Sequence, residues 1–178
     1  MQGKLLAALA AFLIAQPAYA ALATTWELDF DDDSKTWKEL EAQLPPYPKE
    51  GALVVLIMGV ASPHRFYVDP ASVSLGVDGV VRYTAVVKAG GGALNVTFEG
   101  IRCETRELKL YALGHSNGSW VRARKPQWER MQRHTKPYQF TLYREYFCPS
   151  RTQPTPPKQA MDAMRRGVGL GSSTAIDE

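Results

Sequence analysis

The sequence predicts a mainly β (α+β) fold: a single antiparallel sheet or sandwich-like domain with short N-terminal, inserted and C-terminal helices. From residue 53 onward, short runs rich in β-branched and aromatic residues alternate with glycine, proline and aspartate turn signals. The connections between these runs are short, and strands do not alternate with helices, which favours antiparallel pairing. No internal repeat is visible. We therefore expect one domain, over residues 21–166.

The N-terminal helix is predicted to begin at Ser34, whose hydroxyl can cap it. Pro45 and Pro46 end it, and its apolar positions recur at helical spacing on one face: Trp37, Leu40 and Leu44. The three aspartates at residues 31–33 precede it, where the helix dipole favours negative charge. A calcium loop would need ligands at alternating, loop-supported positions, so we assign these aspartates a structural role.

The strands are predicted from apolar and β-branched runs bounded by turn signals. Residues 53–58 form a continuous apolar run, typical of a buried strand, and residues 80–88 and 94–101 are expected to pair as a hairpin. The glycines at 90–92 lie at the tip of that hairpin. Because a strand rather than a helix follows them, they lack the context of a nucleotide-binding phosphate loop. The remaining predicted strands are residues 65–68, 72–75, 107–112 and 138–147.

Two further helices are predicted on the C-terminal side. Pro126 is well placed to begin an inserted helix that carries Trp128 and Met131 on one side. The C-terminal helix is expected from about residue 157 to residue 166, with methionines 161 and 164 on one face. Residues 167–178 are expected to form a flexible tail.

Residues 1–20 are predicted to be a cleaved secretory signal. A short positive end precedes the unbroken apolar run of residues 5–14, and the small residues Ala18 and Ala20 fit a cleavage site before Ala21. About ten apolar residues are too few to cross a bilayer, which needs about 20, so the cleaved chain is not expected to span a membrane. No cysteine follows the run, which excludes lipid attachment at the new N-terminus. The predicted location is the periplasm.

The charge balance argues against a general affinity for nucleic acid. The full sequence has 21 Lys and Arg and 18 Asp and Glu residues. Removal of Lys4 with the signal leaves 20 basic and 18 acidic side chains, so the net charge is close to zero. The acids are concentrated in residues 26–50 and the bases in residues 119–137. Such asymmetry can steer an anionic partner, but a charge run is more often a solvated face. An exported protein also rarely meets nucleic acid, so we do not expect it as a partner.

The two cysteines, Cys103 and Cys148, are predicted to form a disulfide. In an oxidising compartment an even number of cysteines favours a bridge. Closing a loop of about 46 residues would stabilise the fold by roughly 4 kcal/mol in the chain-entropy model. The alternative, a catalytic thiol, would need a nearby base, and no histidine is close in sequence to either cysteine.

No cofactor or metal is predicted. The three histidines, His64, His115 and His134, share no metal-ligand spacing with one another or with a cysteine. The Gly-x-Ser-x-Gly context of many hydrolase serines is also missing.

The candidate ligand-binding residues come from the polar stretch at residues 95–104 and from the strand before it. In a strand, Asn95 and Glu99 share one face, and a hairpin brings Arg82 close to them. Glu99 is therefore expected to pair with Arg82 or Arg102. The functional interpretation is a ligand-binding or catalytic cluster. The structural interpretation is a cross-strand ion pair, worth roughly a few tenths of a kcal/mol if exposed, and both stay open.

The motifs also carry a family resemblance. The most distinctive stretch is the Glu-Gly-x-Arg-Cys pattern at residues 99–103. The other matching positions are Trp37, Leu44, Pro45, residues 69–72, 81–84 and 92–96, Tyr111, Ala112, Trp120 and residues 146–148. Over most of the chain after the signal, the sequence resembles the cryptic neisserial protein family, a group of uncharacterised exported bacterial proteins. The resemblance implies a Gram-negative envelope setting and brings no catalytic residues with it.

The export signal and the absence of a catalytic signature favour a non-enzymatic periplasmic protein, a binding or envelope-associated module. Its expected partner is an envelope protein or an anionic envelope component. The alternative is a periplasmic enzyme acting on an anionic envelope substrate. In that hypothesis Glu99 is the acid or base, and Arg82 and Arg102 bind the anion.

Overall fold

A computed structural model describes residues 37–58 and 62–171. The predicted signal peptide with its cleavage site, the predicted helix start at Ser34 and residues 172–178 of the predicted tail lie outside the described residues. The strands are β1 (Val54–Leu56), β2 (Arg65–Leu75), β3 (Val80–Lys88), β4 (Leu94–Arg102), β5 (Glu107–Gly114), β6 (Trp120–Arg122) and β7 (Glu129–Arg130). The helices are a 3₁₀ turn (Glu50–Ala52), α1 (Pro137–Thr141), which continues as a π-helix (Leu142–Phe147), and α2 (Pro157–Arg165).

The strands form one antiparallel sheet, which confirms the predicted mainly β fold. Strands β1 to β6 lie in sequence order in the sheet, each paired with its neighbours, and β7 pairs with β5. Residues 80–88 lie opposite residues 94–102 as predicted, because β-branched and aromatic side chains fill both strands. The predicted strands at residues 65–68 and 72–75 are instead one strand, β2, with a shift of register inside it.

One face of the sheet, which we call the helix face, packs against α1, its π-helical continuation and α2. The core here is made by apolar and aromatic side chains: the ring of Tyr83 lies 5.2 Å from that of Phe147. Burial of each large apolar side chain contributes roughly 1.5–3 kcal/mol. The Cys103–Cys148 disulfide, with an S–S distance of 2.06 Å, joins the chain after β4 to the end of the π-helix. The predicted bridge is thus confirmed.

The opposite face, which we call the segment face, is covered by residues 37–48, which form neither helix nor strand. A small apolar cluster of Ala42, Phe98, Tyr111 and Ala112 lies between this segment and the sheet. The ring of Tyr111 rests directly on Gly100, since a Cβ added at Gly100 would lie 2.7 Å from Tyr111 Cε2. The glycine therefore permits the close approach of this ring to the sheet.

The predicted strand at residues 138–147 is wrong, because this stretch is helical. Its buried residues are Gln139, Leu142, Tyr143, Tyr146 and Phe147, which follow the three-to-four spacing of a helix. Pro137 occupies the first helical turn, where a missing N–H costs nothing. The aromatic composition favoured a strand, but the spacing of the buried positions decides the structure.

Two other predicted helices do not form where they were expected. Residues 37–44 of the predicted N-terminal helix are irregular, because long-range contacts to the sheet replace the helical hydrogen bonds. The inserted helix predicted from Pro126 is also wrong: this stretch is irregular and leads into β7. Met131 is nevertheless fully buried, and its N–H donates to the Arg106 carbonyl at 2.9 Å.

The predicted C-terminal helix is confirmed as α2, with Met161 and Met164 buried. The chain turns at Gly167, where φ is 66°. In the described part of the predicted tail, the N–H of Leu170 donates to the Glu145 carbonyl at 2.6 Å. None of the helices in residues 37–58 and 62–171 has the length and apolar character needed to cross a bilayer.

Candidate functional site

The candidate site is a cleft on the segment face, between the irregular segment and β5. It has a volume of about 320 Å³. Its walls include Glu39, Ala42, Lys109, Tyr111, Arg122 and Pro126. We call it the Glu39 cleft, because this carboxylate links its two walls.

The wall formed by the irregular segment is held by the turn between β2 and β3. The Asp78 carboxylate accepts a hydrogen bond from the Leu40 N–H at 2.9 Å, and the Asp78 carbonyl accepts one from Trp37 Nε1 at 2.9 Å. The Arg82 guanidinium donates to both Asp78 oxygens, at 2.7 and 3.2 Å, and to the Leu40 carbonyl at 2.9 Å. These partners satisfy backbone groups that no helix or strand satisfies, so they fix the path of the segment.

Glu39 connects this wall to the sheet through three donors. Its carboxylate accepts hydrogen bonds from Lys109 Nζ at 2.6 Å, from the Tyr111 hydroxyl at 2.8 Å and from Trp128 Nε1 at 3.1 Å. Lys109 and Tyr111 are two residues apart on β5 and therefore point to the same face. Lys109 Nζ also lies 5.5 Å from the centre of the Tyr111 ring, within the range of a cation–π contact.

These contacts keep Glu39 ionised. Burial by itself raises the pKa of Glu39, but the hydrogen bonds from Lys109, Tyr111 and Trp128 outweigh it and hold the pKa below its usual value. Burial, followed by the hydrogen bond to Glu39, raises the pKa of Tyr111 well above its usual value. A carboxylate that is engaged by three donors and ionised at neutral pH is suited to holding the walls together rather than to transferring a proton.

Three basic residues lie at or beside the cleft, whose lining also includes the acids Glu39 and Glu41. Arg122 lines the cleft, and Arg124 and Lys125 lie between the lining residues Ala123 and Pro126. The side chains of Arg122, Arg124 and Lys125 are exposed, and within residues 37–58 and 62–171 none of them forms an ion pair with an acid. We call these three residues the basic rim.

A comparison with known protein families places this chain. The CNP1-like family matches residues 32–165. This chain belongs to the CNP1-like family. The matched range contains every residue that lines the Glu39 cleft, together with both cysteines of the disulfide. No curated protein and no solved structure matches the chain.

The two arginines predicted as ligand-binding residues of this CNP1-like protein both contact the irregular segment. Arg82 pairs with Asp78, and their side chains are only 8% and 1% exposed. The Arg102 guanidinium lies 4.0 Å from the centre of the Trp37 ring, and its Nη2 donates to Glu104 at 3.2 Å. The structure thus gives both side chains partners that position residues 37–40.

Glu99 lies on the other face of the sheet. It is directly opposite Tyr83 in the β3–β4 register, and only 3% of its surface is exposed. Its carboxylate accepts hydrogen bonds from the hydroxyls of Tyr83 and Tyr138, each at 2.6 Å, and from Thr97 Oγ1 at 2.9 Å. Gln139 Nε2 lies 3.5 Å away. Glu99 therefore ties the sheet to α1.

The expected pairing of Glu99 with Arg82 or Arg102 is wrong. In an antiparallel pair, residues directly opposite one another share a face, and Arg82 is opposite Gly100 rather than Glu99. Asn95 shares the helix face with Glu99, but it is exposed near the hairpin tip. The four candidate residues therefore do not converge on one site. Within the described ranges, no three His, Cys, Asp or Glu side chains are placed to hold a metal ion.

Sequence reasoning missed the residues that build the Glu39 cleft. Glu39 is 70 residues from Lys109 and 89 from Trp128, so no local spacing connects them. The available signal was the opposite charge of two regions, residues 26–50 and 119–137. Glu39 and Arg122, which both line the cleft, come from these two regions, but the asymmetry does not identify which side chains meet.

Proposed function

We propose that this CNP1-like protein is a non-enzymatic periplasmic binding module that holds an anionic envelope component at the basic rim of the Glu39 cleft. The single observation that carries the proposal is the basic rim itself. Three exposed cations follow closely in sequence beside a cleft, and among the described residues no acid forms an ion pair with them, although the exposed Glu41 lines the same cleft. A concentration of one charge sign at a cleft attracts ligands of the opposite sign.

Binding is favoured over catalysis because of the state of two carboxylates, Glu39 in the cleft and Glu99 on the opposite face of the sheet. Glu39 is engaged by Lys109, Tyr111 and Trp128, and Glu99 is enclosed by tyrosines on the opposite face. A general acid or base has to reach the reacting group directly or through one water. The arrangement that the enzymatic hypothesis requires, Glu99 beside Arg82 and Arg102, is not formed by these residues.

The periplasmic setting is supported by two features. The Cys103–Cys148 disulfide is typical of proteins that fold in an oxidising compartment. The predicted signal at residues 1–20 supplies a route to that compartment. Envelope components of a Gram-negative cell include many phosphorylated and carboxylated molecules, which would suit a basic rim.

The test is crosslinking in intact cells, followed by purification of the protein from the periplasmic fraction and mass spectrometry. The decisive variant carries Arg122→Ser, Arg124→Ser and Lys125→Ser together. We expect the wild-type protein to retain a crosslinked component that this variant loses, because the cations supply the attraction. The same sample shows whether the mature chain begins at Ala21.

A matched control removes three exposed cations from the other side of the sheet: Lys158→Ser, Arg165→Ser and Arg166→Ser. It changes the net charge equally but leaves the rim intact, so it should retain the crosslinked component. Loss of the component in both variants would indicate a nonspecific charge effect. Retention in both, or the absence of any crosslinked component in the wild type, would reject the proposal.

A further inference from the structure

A second cleft lies on the segment face at the other end of β2 and β3, next to the glycine turn that joins β3 to β4. It has a volume of about 340 Å³. Its lining includes Pro63, Arg65, Tyr67, Lys88, Gly90 and Gly92. No residue lines both this cleft and the Glu39 cleft, so the two are separate sites.

Two cations face one another in this second cleft. Arg65 and Lys88 are directly opposite in the β2–β3 register, so their side chains lie on the same face. Residues in such positions have Cβ atoms roughly 4.5–5.5 Å apart, and like charges there destabilise the pair. Both side chains are exposed, and in the part of the chain that the structure describes neither forms an ion pair. An anion between them would turn repulsion into attraction.

The glycine turn beside the cleft has one backbone N–H without a backbone acceptor. The N–H groups of Ala89 and Gly92 are used inside the turn, donating to the carbonyls of Ala93 and Ala89 at 2.9 and 2.8 Å. The Gly90 N–H donates to no backbone carbonyl of the described residues. A Cβ at Gly90 would lie 3.2 Å from the Pro63 carbonyl oxygen. The absence of a side chain at Gly90 therefore lets the turn approach the Pro63 backbone closely at this side of the cleft.

We propose that this second cleft binds a phosphoryl group between Arg65 and Lys88. A guanidinium matches two oxygens of a phosphoryl group, an ammonium contributes a second positive charge, and backbone N–H groups in a turn complement them. The lining residues include the guanidinium of Arg65, the ammonium of Lys88 and glycines of the turn, and no acidic side chain. The turn is followed by a strand, so it differs from a nucleotide-binding loop, and the two cations rather than a helix supply the positive field.

The phosphoryl group has two possible sources, free phosphate compounds and phospholipid headgroups. Val55 lies opposite Tyr67 in the β1–β2 register and is 51% exposed, so an apolar side chain flanks the cations. A lipid would use both features, whereas inorganic phosphate would use only the cations. The chemistry of recognition is the same in both cases, and the experiment separates them.

The test titrates inorganic phosphate into the purified protein at low ionic strength, with calorimetry as the readout. A second arm measures cosedimentation with phosphatidylcholine vesicles that do or do not contain phosphatidylglycerol. The variants are Arg65→Ser and Lys88→Ser, and Lys158→Ser on α2 is the control for loss of one exposed cation. Each variant is checked for a Tm no lower than that of the wild type, because all three side chains are exposed and loss of Arg65 or Lys88 removes a repulsion.

We expect wild type and Lys158→Ser to bind alike, and each cleft variant to bind about tenfold more weakly, as the loss of one charge-assisted hydrogen bond implies. If the cleft variants bind inorganic phosphate more weakly than the wild type, the ligand is a free phosphate compound. If the weakening is seen only with vesicles that contain phosphatidylglycerol, the ligand is a phospholipid headgroup. Absence of binding in both arms, or unweakened binding by the cleft variants, overturns the proposal. The Arg122→Ser, Arg124→Ser, Lys125→Ser variant should bind phosphate normally, so the two proposals fail separately.

Discussion

The two faces of the sheet are covered in different ways. On the helix face, α1, its π-helical continuation and α2 satisfy their own backbone hydrogen bonds, so they contact the sheet mainly through apolar and aromatic side chains. On the segment face, residues 37–48 have no regular structure, and polar contacts to Asp78, Arg82 and the β5 side chains fix their path. An irregular covering thus needs specific polar partners, whereas a helical covering needs apolar area.

This difference determines which face of the sheet has clefts. On the helix face, the carboxylate of Glu99 is buried beneath α1 and accepts a hydrogen bond from Tyr138. On the segment face, the covering is narrow, and both clefts open beside it. We therefore expect substitutions on the helix face to change stability alone. On the segment face, we expect some substitutions to change stability and others to change binding.

The largest expected effect tests the helix face. Replacement of both cysteines, Cys103→Ala with Cys148→Ala, removes a crosslink between residues 45 apart in sequence. We expect the free energy of unfolding to fall by about 4 kcal/mol, because the unfolded chain regains the entropy of an open loop. Urea unfolding followed by circular dichroism measures this loss. A fall of less than about 1 kcal/mol would show that packing alone holds this face.

The next largest effect tests the segment face. Asp78→Ala leaves the buried Arg82 guanidinium without its counter-charge and removes the acceptor for the Leu40 N–H. We expect a loss of about 3 kcal/mol in the free energy of unfolding, since breaking a buried ion pair strands the remaining charge. Hydrogen exchange at the Leu40 amide should also become faster.

The control for this variant is Asp162→Ala on α2. Asp162 also pairs with cations, Lys158 at 3.3 Å and Arg165 at 2.9 Å, but at the surface. Exposed pairs contribute little, so this substitution should leave the unfolding midpoint nearly unchanged. Equal losses in the two variants would contradict the assigned role of Asp78 in holding the segment.

The smallest expected change in stability comes from titration of the tyrosines that contact Glu99, and it is measured at alkaline pH. Burial, followed by the charge of Glu99, raises the pKa of Tyr83 and of Tyr138 well above the ordinary value of 10.0. The stability from these two neutral hydroxyls is fully present below pH 10 and is lost as pH rises through their folded pKa values. Tyr138→Phe should flatten the alkaline limb of the curve of stability against pH.

The segment face should respond at the opposite end of the pH range. Burial raises the pKa of Asp78, but the hydrogen bonds from Arg82 and Leu40 outweigh it, so the pKa lies below the ordinary value of 3.8. The stability from this carboxylate is fully present above that ordinary value and is lost as pH falls through the folded pKa. Asp78→Asn should flatten the acid limb and leave the alkaline limb intact. The reverse pattern would contradict the division between faces.

The sequence predicted those parts of the fold that depend on local pattern. The β3–β4 hairpin follows from two β-rich runs around a glycine turn, and α2 follows from its proline start and buried methionines. The aromatic content of residues 138–147 predicts a strand, whereas their buried positions follow helical spacing in the structure. The path of residues 37–44 was beyond local reasoning, since Asp78 and Lys109 fix it from distant parts of the chain.

The candidate site illustrates the same limit. The sequence indicated Arg82, Glu99 and Arg102 as polar residues on neighbouring strands, but the side of the sheet to which each points depends on the pairing register. The pairing of Arg82 with Gly100 places the arginine and Glu99 on opposite faces. The acidic and basic regions of the sequence gave a better indication, because Glu39 and the basic rim come from those regions.

The disulfide has a consequence for the opposite face of the sheet. Between Cys103 and Cys148 lie the cleft residues that the sheet and the basic rim contribute, from Lys109 to Pro126. This stretch is held by strand pairing of β5 with β4 and β6, and the disulfide adds a covalent loop whose two ends both lie in the core. One covalent bond in the core of the helix face therefore also restricts the chain that forms a wall of the Glu39 cleft on the opposite face.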